Sequence, residues 1–340
     1  MELSFDIGSL RPVNLNVPEV STSLNFADYL GTIKVRWGIG RDNYSVVPGL
    51  YKIGKPNSDS DVFVSANYKL SFDTLRKNLD SLNAWILVID TKGINVWCAS
   101  GKGTFGTENL VKSIQNSALD TIVKHRRIIV PQLGATGVAA HKVKAQSGFR
   151  VIYGPIQAKD IKAFVMAGYK ATPEMRKMKF PIHERAKLIP VDFMYRKYHL
   201  LIALGILFFI SGLDSKGFLF SKMFETSLFP MLNLLGAYLA GVVIAPLFLP
   251  VIPFRAFALK GAFWGLVITL FIIQFFDVTL VESISAILVS IGVASFMTMN
   301  FTGSSTYTSL SGVQKEMKWA IPFQFTFALS GLILFIISKF

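Results

Sequence analysis

The most informative stretch of this sequence is residues 85–102, Trp85-Ile86-Leu87-Val88-Ile89-Asp90-Thr91-Lys92-Gly93-Ile94-Asn95-Val96-Trp97-Cys98-Ala99-Ser100-Gly101-Lys102. The apolar run 85–90 predicts a buried strand, and the loop 91–93 joins it to a polar segment around Cys98. Ligands of open α/β sheets bind at the carboxyl ends of the strands. The sequence therefore predicts that Cys98 lies at a ligand-binding edge.

Cys98 is the single cysteine among 340 residues. It allows no intrachain disulfide, no Cys-x-x-Cys redox centre, no cysteine-only zinc site and no self-contained iron–sulfur cluster. The four histidines are scattered, so any metal bound through Cys98 must bring most of its own ligands, as a metal in a tetrapyrrole-like macrocycle does. A small buried hydrophobe is the alternative for Cys98, whereas its small, polar and basic neighbours favour an accessible thiolate.

The first half of the chain alternates strand and helix patterns, which predicts a mainly parallel α/β sheet of Rossmann-like type. Residues 1–60 indicate irregular structure around short strands. The loops 67–69, 91–95, 132–136 and 154–156 follow the strands and line one edge, where a large planar cofactor fits. Strands are predicted at 61–66, 85–90, 127–131 and 150–153, and helices near 71–82, 108–120, 137–146 and 158–167.

Two phosphate-binding patterns are present only in part. In Gly101-Lys102-Gly103-Thr104, a glycine stands where the P-loop requires Ser or Thr after the lysine. The pattern Gly101-x-Gly103-x-x-Gly106 begins about ten residues after its strand, whereas the dinucleotide fingerprint opens in the immediate turn. Nucleotide binding is therefore disfavoured.

The second half of the chain is apolar, and it raises the mean hydropathy to +0.46. It predicts an all-α domain of about five transmembrane helices, each near the ~20 residues that cross a bilayer. These spans contain almost no ionisable residues, which disfavours a transporter. The predicted spans are 198–213, 228–249, 256–276, 280–301 and 320–338.

The distribution of charged residues predicts the orientation of the chain in the membrane. The segment before the first span carries eight cations against three acids, which predicts that this end faces the cytoplasm. Met1–Asp6 has no signal-peptide pattern, so the amino-terminal domain is expected in the cytoplasm and the carboxyl terminus outside an inner membrane. The net charge of +14 is assigned to membrane lipid rather than nucleic acid. The expected domains are 1–168 (α/β), 169–197 (basic juxtamembrane linker) and 198–340 (transmembrane).

The stretch Thr91–Gly106 closely resembles the cap-helix motif of the HgcA family, the corrinoid proteins of the mercury-methylation pair. Residues 64–73 and 132–137 resemble segments shared with corrinoid iron–sulfur proteins. A soluble corrinoid-binding domain followed by about five spans is also that family's layout. Within the motif, Ser100 stands where some relatives have Ala.

The resemblance implies a corrinoid-dependent methyltransferase that passes a methyl group from methyl-cobalt(III) to inorganic Hg(II), giving methylmercury. Its cofactor would be a base-off, cobalamin-type corrinoid, and Cys98 would be both the catalytic residue and the lower axial ligand to cobalt. The methyl group would come from the methylfolate pathway. The partner would be HgcB, a ferredoxin-like iron–sulfur protein that returns cobalt to its reduced state.

The same resemblance, with the loops named above, gives the expected cofactor-binding residues. Lys102 and the cap helix would hold Cys98 ionised and oriented, and Asn95 and Trp97 would hydrogen-bond and pack around the ring, with core packing as the alternative for Trp97. The expected residues are Asn67, Thr91, Gly93, Asn95, Val96, Trp97, Cys98, Ala99, Gly101, Lys102, Gly103, Thr104, Gln132 and Gly134.

An axial thiolate is a strong electron donor to a metal, so it should help a methyl group leave toward an electrophilic Hg(II). Two other functions stay open. One is a corrinoid methyl shuttle of one-carbon metabolism, although the corrinoid iron–sulfur proteins carry cluster-binding cysteines that this sequence lacks. The other is a membrane-bound thiol redox sensor, which would contain no cobalt.

Overall fold

The structure, a computed structural model, describes residues 17–305, 307–308 and 310–340. Residues 1–16 lie outside the described residues, and they contain the stretch on which the cytoplasmic expectation rests. The described residues form two compact units, 17–33 with 40–177 and 34–39 with 178–340. The boundary at 177 falls inside the segment that the sequence predicts as a linker.

The first unit is built on a five-stranded sheet in the order β1-β3-β2-β4-β5. Strands β2 to β5 are parallel, which confirms the predicted mixed α/β architecture, whereas β1 pairs antiparallel with β3 and was not predicted. The strands are β1 (Gly49–Ile53), β2 (Val62–Ala66), β3 (Ala84–Ile89), β4 (Arg127–Val130) and β5 (Arg150–Tyr153).

Helices cover both faces of this sheet. Because side chains alternate along a strand, Val64 and Leu87 face one apolar layer with α4 and α6, and Phe63 and Ile86 face the other with α2 and α7. The helices that belong wholly or partly to this unit are α1 (Phe26–Arg36), α2 (Lys69–Lys77), α3 (Val96–Lys102), α4 (Thr107–Asn116), α5 (Leu119–Ile122), α6 (Ala140–Ser147) and α7 (Ile161–Met166).

The strand order of the sheet reverses between β2 and β4. From β2 the chain crosses to β3 on one side, and β4 and β5 then follow on the other. Phe63 of β2 pairs with Ile129 of β4 at this reversal. Open α/β sheets bind ligands at such a switch point, so the loops after β2, β3 and β4 form the edge to examine for a site.

A buried ion network joins α1 to α2. Lys69 Nζ lies 2.6 Å from Asp28 Oδ1 and 2.5 Å from Asp73 Oδ2. Arg76 donates from Nη2 to Asp28 at 2.7 Å and from Nε to Asp73 at 2.7 Å. Two cations and two carboxylates therefore satisfy one another, which is the condition under which charges are tolerated in a protein interior.

The second unit is helical, with one short hairpin of β6 (Leu213–Asp214) and β7 (Gly217–Phe218). A five-residue π-helix, Ala240–Ile244, separates two of its helices. The helices are α8 (Ile182–Ala186), α9 (Ile189–Tyr195), α10 (Lys197–Ile210), α11 (Phe220–Thr226), α12 (Leu228–Leu239), α13 (Ala245–Leu247), α14 (Phe257–Ile273), α15 (Leu280–Asn300) and α16 (Leu310–Ile337).

Helices occupy all five predicted span positions, but among the described residues three are long and apolar enough to cross a membrane. These are Leu228–Leu247, Leu280–Gly303 and Ser311–Ile337. The expected count of five is therefore corrected to three, or four if the bent pair Ile182–Tyr195 and Lys197–Ile210 is one span. At about 1.5 Å per residue, α10 covers about 21 Å, which is less than the ~30 Å apolar core of a bilayer.

A buried polar cluster lies among the apolar helices. Asn233 Oδ1 accepts hydrogen bonds from Thr269 Oγ1 at 2.8 Å and from Ser290 Oγ at 3.1 Å. Its Nδ2 donates to the Ala286 carbonyl at 3.0 Å. One side chain thus connects α12 with α14 and α15, as polar side chains do between packed apolar helices.

Candidate functional site

Asn67, directly after β2, holds the loop that follows β3. Its Oδ1 accepts hydrogen bonds from the amides of Thr91 and Gly93, each at 3.0 Å, and lies 2.8 Å from the Thr91 hydroxyl. Its Nδ2 donates to Asp90 Oδ1 at 3.2 Å. Asn67 and Thr91 are both buried. Because buried amide groups require partners, this one side chain fixes the position at which the loop turns toward α3.

The loop itself needs left-handed backbone at two consecutive residues. Lys92 has φ 57° and Gly93 has φ 70°. Asp90 supports the turn, because its Oδ1 accepts a hydrogen bond from the Lys92 amide at 2.9 Å. Asp90 is not among the residues predicted for this site, although an Asp two residues before such a turn is a recognisable signal.

Asn95 caps α3 and contacts the cysteine at the same time. Its Oδ1 accepts the Cys98 backbone N–H at 3.0 Å, which satisfies one of the free donors at the helix start. Its Nδ2 lies 3.5 Å from Cys98 Sγ and donates to it. A single amide side chain therefore positions both the backbone and the sulfur of Cys98. The sequence predicts that Asn95 hydrogen-bonds near the cofactor ring, and in the described residues its amide donates to the Cys98 thiol.

Helix α3 has two distinct faces. Val96, Ala99 and Ser100 are buried, and the Ser100 hydroxyl donates to the Val96 carbonyl at 2.8 Å. Trp97 is exposed and Cys98 is half-buried on the opposite side. The thiol is therefore not a fully buried core side chain, whereas two of the expected cofactor-binding residues, Val96 and Ala99, face inward and support the helix.

The outer face of α3 is flat next to the cysteine. A Cβ added to Gly101 would meet no atom of the chain within 4 Å, and both Gly101 and Lys102 are exposed. Glycine costs a helix about 1 kcal/mol relative to alanine, and nothing in the surrounding fold requires it here. Gly103, in contrast, ends the helix with φ 81°, a conformation that favours glycine.

The remaining expected residues lie around the base of α3. A Cβ on Gly134 would lie 2.5 Å from the Phe105 ring, so this glycine permits close packing under the helix. The Gln132 side-chain oxygen accepts a hydrogen bond from Arg176 Nη1 at 2.6 Å. The Thr104 hydroxyl lies 3.5 Å from the Ala99 carbonyl. Gly134, Gln132 and Thr104 therefore contact other parts of the protein and support α3.

The donor set limits the metal chemistry of this edge. The described residues contain no group of three or more His, Cys, Asp or Glu side chains able to hold a metal ion. Cys98 offers one soft sulfur ligand, with a glycine-flat surface beside it. These features fit a metal that carries its remaining ligands in a planar ring, since such a group needs one protein ligand and an unobstructed face.

The α/β unit is similar in sequence to known proteins. Residues 23–165 match the family model described as CdhD, CO dehydrogenase/acetyl-CoA synthase delta subunit. The match includes the five-stranded sheet, the Asn67 loop and α3, and it covers less than half of the chain. The α/β unit is thus similar to a CdhD-family domain.

The individual proteins to which the chain is similar are also corrinoid/iron–sulfur or acetyl-CoA decarbonylase/synthase subunits. The chain is 34% identical over 120 residues, or 35% of its length, to the corrinoid/iron–sulfur protein large subunit of Moorella thermoacetica. It is 30% identical over 139 residues, 39% of its length, to the acetyl-CoA decarbonylase/synthase complex subunit gamma of Archaeoglobus fulgidus, and 30% over 127 residues, 37% of its length, to the Methanopyrus kandleri subunit of that name.

These matches span 26%, 29% and 27% of the respective relatives, so the chain covers about a quarter of their length. The expected relation to corrinoid iron–sulfur proteins is confirmed at this level. The narrower resemblance to the HgcA family stays a prediction.

Proposed function

We propose that this chain is a corrinoid-dependent methyltransferase of the HgcA type, which passes a methyl group to inorganic Hg(II). The relation to the corrinoid/iron–sulfur protein large subunit supports the corrinoid-binding part. One observation supports the HgcA-type role of Cys98. Its Sγ lies on the outer face of α3, at the carboxyl edge of the parallel strands, and 3.5 Å from the Asn95 amide nitrogen. A half-buried sulfur on that face is accessible to a bound group, which supports a ligand role over a core role.

Cys98 would hold the cofactor as the lower axial ligand to cobalt. When bound, the corrinoid supplies a cobalt centre that carries the methyl group. The chain supplies the thiolate, and Asn95 Nδ2 donates a hydrogen bond that compensates the negative charge on sulfur. Gly101 leaves space for the ring beside the sulfur, and Trp97 offers an aromatic surface next to it. Asn67 and Thr91 hold the loop that aims the helix.

The remaining parts of the reaction belong to partners. The sequence has one cysteine, and the proposal assigns it to cobalt, so thiolates that deliver Hg(II) and clusters that deliver electrons must come from another protein. A ferredoxin-like partner of the HgcB type meets both needs. The methyl group would come from a methylfolate pathway. We further propose that the apolar helices span the inner membrane with the α/β unit in the cytoplasm, because cations concentrate before the first apolar helix.

The decisive experiment is the visible absorption spectrum of the full chain in detergent, loaded with cobalamin, beside Cys98→Ala and the exposed control Gln115→Ala. The unchanged chain and the control should share a shifted Co(III) spectrum that Cys98→Ala lacks. Methylmercury formation with a reduced iron–sulfur partner should be lost only in Cys98→Ala. Retained activity in that variant would contradict the axial-ligand role.

The comparisons favour a second candidate, a corrinoid methyl shuttle of one-carbon metabolism, because two of the three relatives are named as subunits of acetyl-CoA decarbonylase/synthase complexes. Such a shuttle would bind corrinoid and exchange methyl groups with a folate donor, but adding Hg(II) would yield no methylmercury. A thiol redox sensor would contain no cobalt after purification, so metal analysis separates it from both.

A further inference from the structure

Helix α1 presents an apolar stripe to solvent. Phe26, Tyr29, Leu30 and Ile33 are all exposed, and Trp37, one residue past the helix end, continues the stripe. With 3.6 residues per turn, these five side chains fall within an arc of about 100°. Phe26 alone is 81% exposed. Contiguous apolar surface of this kind marks an interaction site on a soluble face.

The opposite face of α1 carries the helix's charge and its packing contacts. Asp28 is buried, accepts hydrogen bonds from Lys69 and Arg76, and lies half a turn away from the stripe. Val35 is 1% exposed on that same side. The ion network therefore fixes the rotation of α1, and it holds the apolar stripe outward. This polarity is the reverse of an ordinary surface helix, whose apolar stripe faces the core.

The end of α1 lies beside the segment that leads into the apolar helices. Residues 34–39 cluster with residues 178–340. Arg36 Nη1 lies 3.5 Å from the Lys187 carbonyl, and a Cβ on Gly38 would lie 3.9 Å from Val191 of α9. Helix α9 is followed within two residues by the apolar helix α10. The exposed Trp37 thus stands next to the point where the chain turns apolar.

The charges at this end suit an anionic surface. Lys34, Arg36 and Arg41 outnumber Asp42, the one acid between residues 34 and 42. Basic residues beside an apolar helix face, together with Trp and Tyr, are the composition of helices that lie in a membrane interface. A protein partner would need no cationic border of this kind, so the observations favour lipid.

We propose that the stripe Phe26, Tyr29, Leu30, Ile33 and Trp37 inserts into the boundary between headgroups and acyl chains of an anionic phospholipid bilayer. Helix α1 then lies in the membrane plane as a second attachment of the α/β unit, separate from the apolar helices of residues 197–337. The inference does not depend on corrinoid binding or on methyl transfer.

The test uses the full chain, with Cys98→Ala as background, reconstituted into vesicles of phosphatidylglycerol and phosphatidylcholine. A bimane label is attached at Ile33→Cys, or at one of two control positions. Met166→Cys places the label on an exposed apolar position of α7, and Phe325→Cys places it on α16, within one of the three candidate spans. Lipids spin-labelled near the headgroup or deep in the acyl chain then quench the emission.

The label at position 33 should shift to the blue and lose most of its emission to the shallow quencher, with a smaller loss to the deep one. The label at position 166 should stay accessible to aqueous iodide. Quenching at position 325 together with full iodide access at position 33 would overturn the proposal and leave the stripe to a protein partner. Iodide access at both positions would overturn it as well, because the chain would then not be embedded at all.

Discussion

The Asn95 amide and the Cys98 thiol form a paired unit: Oδ1 of Asn95 accepts the Cys98 backbone N–H at 3.0 Å, and Nδ2 lies 3.5 Å from Cys98 Sγ. The first bond sets where the helix begins, and the second sets the environment of the sulfur. Because one side chain makes both contacts, substitutions at position 95 can separate the structural role from the electrostatic one.

Asn95→Asp should keep the helix cap and remove the donor to sulfur. Aspartate caps helices as well as asparagine does, but it presents a carboxylate to Sγ in place of an N–H donor. Alkylation of Cys98 by iodoacetamide at pH 8 should slow several-fold, because the sulfur loses its hydrogen-bond donor and gains a negatively charged neighbour. Asn95→Ala loses the cap too and should also lower the thermal midpoint. Equal alkylation rates in all three proteins would show that the amide does not act on the sulfur.

Gly101→Ala should stabilise the protein and weaken cofactor uptake. No atom lies within 4 Å of the added Cβ, so α3 should gain about 0.5–1 kcal/mol from better helix propensity. The same methyl group would stand beside the sulfur, where the ring is proposed to lie. Thermal unfolding and cobalamin titration of the two proteins should therefore move in opposite directions. Unchanged affinity, even in Gly101→Leu, would place the ring elsewhere.

Asn67→Ala should destabilise the site strongly, because it leaves the buried Thr91 amide and the half-buried Gly93 amide without their acceptor. The cost should be about 3 kcal/mol, at about 1–3 kcal/mol for each buried group left unsatisfied. Hydrogen exchange of the β2 and β3 amides in the full chain reports the opening free energy of the sheet. The exposed Asn116→Ala at the end of α4 is the matched control, and an equal effect in both would contradict the anchoring role of Asn67.

Stability should fall in acid through Asp28. Burial alone would raise the pKa of this carboxyl, but hydrogen bonds from Lys69, the Asn25 amide and Arg76 outweigh it and lower the pKa to about 2. An unfolded Asp titrates near 3.9, so the stabilisation is complete above about pH 4 and is lost as the pH falls toward 2.

The contribution is about 2 kcal/mol at pH 7. Urea unfolding of the full chain, followed by tryptophan fluorescence, should show that difference between the protein and Asp28→Asn at pH 7. The two should converge near pH 2. The exposed Asp120→Asn should match the unsubstituted protein throughout, and a gap for Asp28→Asn that persists at pH 2 would assign the effect to packing instead of charge.

The parallel sheet was predictable because its strands are short runs of branched apolar residues that are buried on both faces. The antiparallel β1 was missed, since only Leu50 and Ile53 of its five residues are buried and the alternation is weak. Helix α1 was missed as well. Its apolar side chains recur with the helical period, but the contact that orients the helix in the fold, between Asp28 and Arg76, joins residues 48 positions apart.

The site residues also divide into those predicted from local pattern and those that were missed. Cys98, Gly101 and Lys102 were accessible to prediction because they are adjacent in sequence and lie on one short helix. The role of Asn67 as an anchor was not predicted, because its partners Thr91 and Gly93 lie 24 and 26 residues away, across a parallel strand pair. Local pattern identifies candidate site residues, whereas the contacts that hold them in place depend on tertiary structure.

The two faces of α3 have a consequence for how this architecture can diversify. The side chains that hold the helix to the sheet, Val96 and Ala99, are distinct from Cys98, which contributes nothing to the fully buried layer. Replacing the residue at position 98 should therefore change the chemistry of the outer face while the buried layer keeps its packing. The side chain at this position can vary without disturbing the contacts that hold α3 to the sheet.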